Sequence, residues 1–283
     1  MDRKRIEEAA RVISSARAML IGAGAGMGVD SGLPDFRGRQ GFWRAYPPFA
    51  KLGLGFEDLA NPQWFARDPE LAWGFYGHRL NLYRGTEPHE GFHILQRWAN
   101  RMDHGCFVFT SNVDGQFQKA SFPDARICEC HGSIHYLQCA QACTGEIWEA
   151  RGATVAVNES TFRASQPLPA CPHCQAVARP NILMFGDWGW IAERAEAQEQ
   201  RLEEWLRSVG SDPIAVVECG AGLSVPTVRM RCERTAEEAD AALVRINPRE
   251  PRGPSGTIPI MARALDALYA IDAVVSAKRA PTN

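Results

Sequence analysis

The sequence lacks a charge excess of either sign: 31 Lys and Arg against 33 Asp and Glu leave a net charge of -2 over 283 residues. Without surplus cations, bulk-charge binding to a nucleic-acid backbone or an anionic membrane surface is excluded. No apolar run approaches the roughly 18 residues of a membrane span. A composition of 45% hydrophobic and 23% charged residues argues against disorder. No export signal is expected in the apolar N-terminal stretch either. The apolar stretch Ala18 to Val29 alternates glycine from Gly22 to Gly28, and Glu7 and Glu8 precede it, which makes a poor signal-peptide core behind a poor basic flank. The nine cysteines are an odd number, so reduced thiols and metal ligands are expected rather than disulfides, in the cytoplasm. Internal repeats and low-complexity tracts are absent as well.

The length suits about two domains, or one large domain with an insertion. Helical spacing over Arg5 to Arg17 leads into a short buried strand, Ala18 to Ile21, and then a glycine-rich turn. Further strand-like runs are Cys106 to Thr110, Arg126 to Cys128, Pro213 to Cys219, Ala242 to Ile246 and Ala270 to Val275. Helical patterns at 88–100, 191–208, 225–239 and 260–269 separate them. This alternation predicts an α/β fold, a Rossmann-like parallel sheet with helices on both faces. Two regions break the rhythm, and both read as insertions that build a smaller zinc-binding domain. One, 38–85, is rich in Gly, Pro and aromatics, with a helix near Glu70 to Tyr83; the other, 136–185, carries four cysteines. The division expected is 1–37, 86–135 and 186–283 for the nucleotide-binding domain, and 38–85 with 136–185 for the small one.

Cys139-x3-Cys143, 27 residues, and Cys171-Pro-His-Cys174 supply two thiolate pairs. Four thiolates around a tetrahedral d10 ion make a closed structural zinc site. His173 could replace one ligand. The remaining cysteines, 106, 128, 130, 219 and 232, fall in or beside predicted sheet elements and read as core.

Gly22-Ala-Gly24-Ala-Gly26-Met-Gly28 follows a strand. Its glycines would let backbone N–H groups approach a phosphate, and a helix N-terminus beyond would add a favourable dipole. The spacing departs from G-x-G-x-x-G, and by itself a tight turn without ligand explains it equally well. In combination with other segments, the chain resembles the sirtuin family of NAD-dependent protein deacylases over nearly its whole length. The residues that carry the resemblance are Gly24-Ala25-Gly26, Ser31-Gly-Leu-Pro-Asp35-Phe36-Arg37-Gly38, Thr110-Ser111-Asn112-Val113-Asp114, His131-Gly132-Ser133, Arg179-Pro180 through Phe185-Gly186-Asp187, and Ile246-Asn247. The cysteine pairs fall where that family carries its zinc ribbon.

The resemblance implies two cofactors, NAD and structural zinc, and a partner, acyl-lysine in a protein or peptide. It places Gly24, Ala25 and Gly26 against the NAD phosphates, with Asp35, Phe36 and Arg37 in a loop closing over the cofactor. Ser111, Asn112 and Asp114 would lie at the ribose and nicotinamide, Gly220, Ala221 and Gly222 at the phosphates, and Asn247 near the adenosine. Asn112, Asp114 and His131 are the implied catalytic residues, with His131 the base. Loss of nicotinamide leaves a cationic ribose that an acyl oxygen captures; an imidazole titrating near neutrality suits the proton transfer that follows. Phe185 resembles part of an edge to which substrate adds as a strand. Tyr76-x2-Arg79 matches a pair that, in one branch of the family, recognises the carboxylate of an acidic acyl-lysine; an arginine on a solvated helix face beside a core tyrosine describes those residues equally well. Departures from the pattern cluster at the cofactor: Gly28, Ser111, Phe117, Ala221, Gly222 and Asp187. They motivate two alternatives, an ADP-ribosyltransferase or NAD glycohydrolase, and a non-catalytic NAD or ADP-ribose sensor.

Overall fold

Short apolar runs buried along nearly all their length form one six-stranded parallel sheet. In the computed structural model, residues 1–34, 38–51 and 53–277 are described, except for the side chains of 38–41. The strands are β1 (Ala18–Ala23), β2 (Cys106–Thr110), β3 (Ile127–Glu129), β4 (Gly132–Cys139), β5 (Trp148–Glu149), β6 (Val157–Asn158), β7 (Arg163–Ala164), β8 (Ala178–Ile182), β9 (Ile214–Cys219), β10 (Leu243–Ile246) and β11 (Ile258–Ile260). The parallel order is β11-β10-β9-β1-β2-β3. From β1 the chain steps outward to β2 and β3, then resumes at β9 on the other side of β1. That reversal lies between the carboxyl ends of β1 and β9, the place where ligands of doubly wound sheets bind.

Strand periodicity sorts the core into two layers. Met19 and Ile21 pack with the helices Arg3–Ser15, Glu90–Ala99 and Ala264–Ala277, while Ala18 and Leu20 face Leu202, Trp205, Val228 and Cys232 of the helices Glu193–Val209 and Thr227–Glu238. The first helix shows why these segments are helical. Asp2 caps it by accepting from the Lys4 N–H at 2.9 Å, and Ile6, Ala9, Ala10 and Ile13 form its buried stripe. Burying each large aliphatic side chain of this kind contributes about 1.5–3 kcal/mol.

The strand expected at Ala270 to Val275 is instead the second half of the helix Ala264–Ala277. Its buried positions are Ala264, Ala267, Leu268, Ile271 and Val275, a spacing of three and four that only a helix turns to one side. The last strand is the three-residue β11, and it takes part of the segment expected to be helical at 260–269.

Residues of 38–85 and 136–185 share a third hydrophobic cluster, which joins Phe42, Tyr46, Phe49, Trp73, Phe75 and Tyr76 to Leu137, Phe162, Ala178 and Ile182. The helix Pro69–Gly85 is capped by Asp68, which accepts from Leu71 N–H at 3.1 Å. It lies so close to the β6–β7 hairpin that a Cβ on Gly74 would sit 1.8 Å from the Phe162 carbonyl. Strand β4 pairs antiparallel with β5 and β8. Since β4 begins directly after His131, that residue marks the passage from the parallel sheet to the smaller one.

Candidate active site

Hydrogen bonds knit the carboxyl edge of the sheet loop to loop. Gly24 N–H donates to Cys219 O at 3.0 Å, Ser111 N–H to Ala23 O at 3.2 Å, Cys130 N–H to Thr110 O at 2.9 Å and Gly220 N–H to Ile246 O at 2.9 Å. The two glycine turns meet backbone to backbone: a Cβ on Gly24 would lie 2.6 Å from Ala221 Cα, and one on Gly26 2.7 Å from Gly220 Cα. Gly220 also has φ +67. These glycines are therefore required by the crossing of the two loops, whether or not a phosphate is present. The segment after the first turn is not an α-helix but two single-turn 3-10 pieces, Ala25–Met27 and Val29–Ser31; the expected helix dipole is absent there. A Cβ on Gly222 would meet nothing within 4 Å among the described residues, so none of them covers that backbone.

Asn112 lies at the centre of this edge. Its Nδ2 donates to Gly24 O at 3.0 Å and its own N–H to Thr110 Oγ1 at 3.0 Å, which leaves its Oδ1 without another bond among the described residues. Asp114 is 9% exposed and accepts from Gln116 N–H at 2.9 Å. Burial, reinforced by the nearby Glu129 charge, pushes its carboxyl up to about 6. The His131 imidazole is half-buried, and burial lowers its pKa, so it is neutral at pH 7. Its Nε2 lies 3.3 Å from Thr227 Oγ1, at the start of the helix that follows the Gly220 loop. Residues from the ends of β1, β2, β3 and β9 thus meet at one edge of the sheet. Asn247 is different. It is fully buried, donates to Ala221 O at 2.8 Å and accepts from Arg249 and Glu250 N–H; it braces two loops and turns no described atom outward. Asp35, Phe36 and Arg37 lie outside the described residues.

The four cysteine sulfurs expected to bind metal come within 4.8 Å of one another. Cys139 and Cys174 are 3.7 Å apart, Cys143 and Cys171 3.6 Å. Sulfurs about 2.3 Å from a tetrahedral zinc ion lie about 3.8 Å from each other, so the cluster fits a closed structural zinc site. His173 is not among the clustered ligands, and its Nε2 pairs with Glu146 at 2.7 Å.

A model of the Sir2 family matches residues 24–206. The chain belongs to the Sir2 family. Among curated relatives, the NAD-dependent protein deacylase of Thermus thermophilus is 31% identical over 253 residues, 87% of this chain and 85% of its own length. That of Aeropyrum pernix is 28% identical over 258 residues, 90% and 91% respectively. A Sir2 homologue crystallised with NAD aligns at a TM-score of 0.68 with 23% identity, over 96% of this chain and 94% of that one.

Several departures from the sirtuin pattern have structural reasons. Phe117 is buried against Phe92 and Phe122, in place of a frequent histidine. Asp187 forms a buried ion pair with Arg179 at 2.8 Å. A Cβ on Gly28 would press on the Leu33 side chain at 3.1 Å. For Ser111 the structure gives no compensating side-chain bond among the described residues. Phe185 is 41% exposed, with its N–H donating to Ala60 O at 2.8 Å. Tyr76 and Arg79 are both buried, which overturns the solvated-arginine reading. The Arg79 guanidinium lies among the rings of Phe56, Phe75, Tyr76 and Tyr83 and donates to Tyr83 Oη at 3.0 Å; Tyr76 Oη is buried and has no hydrogen-bond partner among the described residues. Three supporting residues had no sequence signal: Thr227 beside His131, His89, whose Nε2 reaches Met27 O at 2.8 Å, and Asp30, which accepts from Leu265 N–H at 3.0 Å.

Proposed function

We propose that the protein is an NAD-dependent protein-lysine deacylase, taking acyl-lysine in proteins or peptides, passing the acyl group to ADP-ribose and releasing nicotinamide. The carrying observation is the meeting of Asn112, Asp114 and His131 with the Gly24 and Gly220 turns at the sheet's reversal point. NAD supplies the ribose carbon that nicotinamide leaves and the hydroxyls that receive the acyl group. The open Gly222 backbone and the free side of Asn112 suit such a polar dinucleotide. With NAD bound, Asn112 Oδ1 would accept from a ribose hydroxyl or water, Asp114 would present a carboxylate ionised above about pH 6, and His131 would take a hydroxyl proton. The two-part division at 37/38, 85/86, 135/136 and 185/186 belongs to this reading.

The pair Tyr76 and Arg79 supports a finer specificity, for acidic acyl groups: a guanidinium and a phenol hydroxyl one helical turn apart are donors of the kind that bind a carboxylate. Nine thiols, four of them clustered, support a reducing compartment such as the cytoplasm. No helix among the described residues is long and apolar enough to cross a membrane.

Nicotinamide release is the test, measured with acetyl-, succinyl- and longer-acyl-lysine peptides and without peptide. Release that depends on an acylated peptide is expected; equal release without one would instead make the protein an NAD glycohydrolase. Arg79→Met should lose activity on succinyl-lysine selectively, and equal loss on every acyl group would refute the acidic-acyl assignment.

A further inference from the structure

Strand β4 is interrupted beside that edge of the sheet. Its pairing with β8 goes from Ser133 opposite Asn181 directly to Leu137 opposite Pro180, so Ile134, His135 and Tyr136 bulge out of the ladder. Bulges beside active sites re-aim groups that a regular strand would commit to its neighbour. Here the released groups reach the Asn112–Asp114 loop. Ile134 N–H donates to Val113 O at 3.0 Å, and His135 Nε2 lies 2.9 Å from Asp114 O. A carbonyl oxygen only accepts, so Nε2 must carry the imidazole proton. The ring also lies over Gly115, where a Cβ would come within 2.7 Å of Nε2 and Cδ2 and where φ is +71. Only glycine permits both the turn and that approach. His135 touches none of the reacting groups proposed above.

We infer that His135 is a positioning residue: its Nε2–H clasps the Asp114 carbonyl and, with the bulge of β4, fixes the loop that holds Asn112 and Asp114 against the cofactor. This rests on the deacylase reading for its kinetic consequence, though the clasp itself is a matter of hydrogen bonding. Burial lowers the pKa of His135, which agrees with a neutral ring in one tautomer.

The clasp is tested in the full-length protein in two ways. Nitrogen-15 NMR of the wild-type imidazoles should find His135 as the Nε2–H tautomer; the Nδ1–H tautomer would overturn the inference. In steady-state assays His135→Phe keeps a ring but no donor, and should lower kcat/KM for NAD about tenfold, as expected for one lost buried hydrogen bond, with KM for peptide unchanged. His135→Gln, which returns an N–H near the Nε2 position, should recover most of that loss. Unchanged NAD kinetics in His135→Phe, or equal impairment in both variants, would refute positioning. A wild-type protein that releases no nicotinamide would sink the deacylase reading instead, and the tautomer would still decide the clasp.

Discussion

Asp114→Asn separates the cost of a buried charge from its use. In the folded chain the Asp114 carboxyl is raised from 3.8 to about 6, chiefly by burial. At roughly 1.4 kcal/mol per pH unit, that shift corresponds to about 3 kcal/mol. A folded pKa above the unfolded one means the stabilising contribution is complete below about pH 3.8 and is lost as pH rises through about 6. Asparagine has nearly the same shape and keeps an oxygen to accept from Gln116 N–H, now at 2.9 Å, but has no charge to bury. Relative to wild type, the variant should be about 3 kcal/mol more stable at pH 8, with the difference vanishing near pH 4. For a chain of this size that is about 5 °C in Tm. Urea unfolding at a series of pH values measures it directly. A difference independent of pH, or a variant less stable than wild type at pH 8, would refute the placement of an ionised carboxylate here. The same variant should lose nicotinamide release, and wild-type activity should have an acidic limb near pH 6.

Three further outcomes follow from particular contacts. Cys171→Ser should remove one zinc per chain by elemental analysis and unfold the lobe it closes, seen as a lower Tm; full zinc content in the variant would exclude the four-sulfur site. Arg245→Met should destabilise by about 3 kcal/mol, because the fully buried Glu218 that Arg245 holds at 2.7 Å keeps only the longer contact with Arg229 at 3.7 Å, and adding Glu218→Gln should recover much of the loss. Additive losses in that double variant would deny the coupling. Gly26→Ala should cost about 1–3 kcal/mol, since its Cβ would press on Gly220 Cα at 2.7 Å; wild-type stability in that variant would show that the two turns are free to separate.

Much of the site was legible because its signals are local. A glycine-rich turn after a buried strand, two cysteine pairs, and the Thr110–Asp114 and His131–Ser133 segments each announce themselves within a few residues. Their partners do not. Thr227 is 96 residues from His131, Asp30 is 235 from Leu265, and the His135 clasp depends on a bulge that no alternation of residues foretells. The apolar run at 270–275 misled for a related reason, because a short buried stretch looks alike in a strand and in a helix until its neighbours show which face is covered.

The order of apolar runs and breaks was enough to determine an α/β chain with a parallel sheet, and the cysteine spacing a four-thiolate cluster, since backbone periodicity and ligand reach are short-range properties. Tertiary structure alone decided that Arg79 is buried among aromatic rings rather than solvated, that Asn247 braces loops, and that Gly24 and Gly26 answer to the Gly220 turn. Burial and contact are set by what the rest of the chain brings alongside, and that information is spread over the whole sequence.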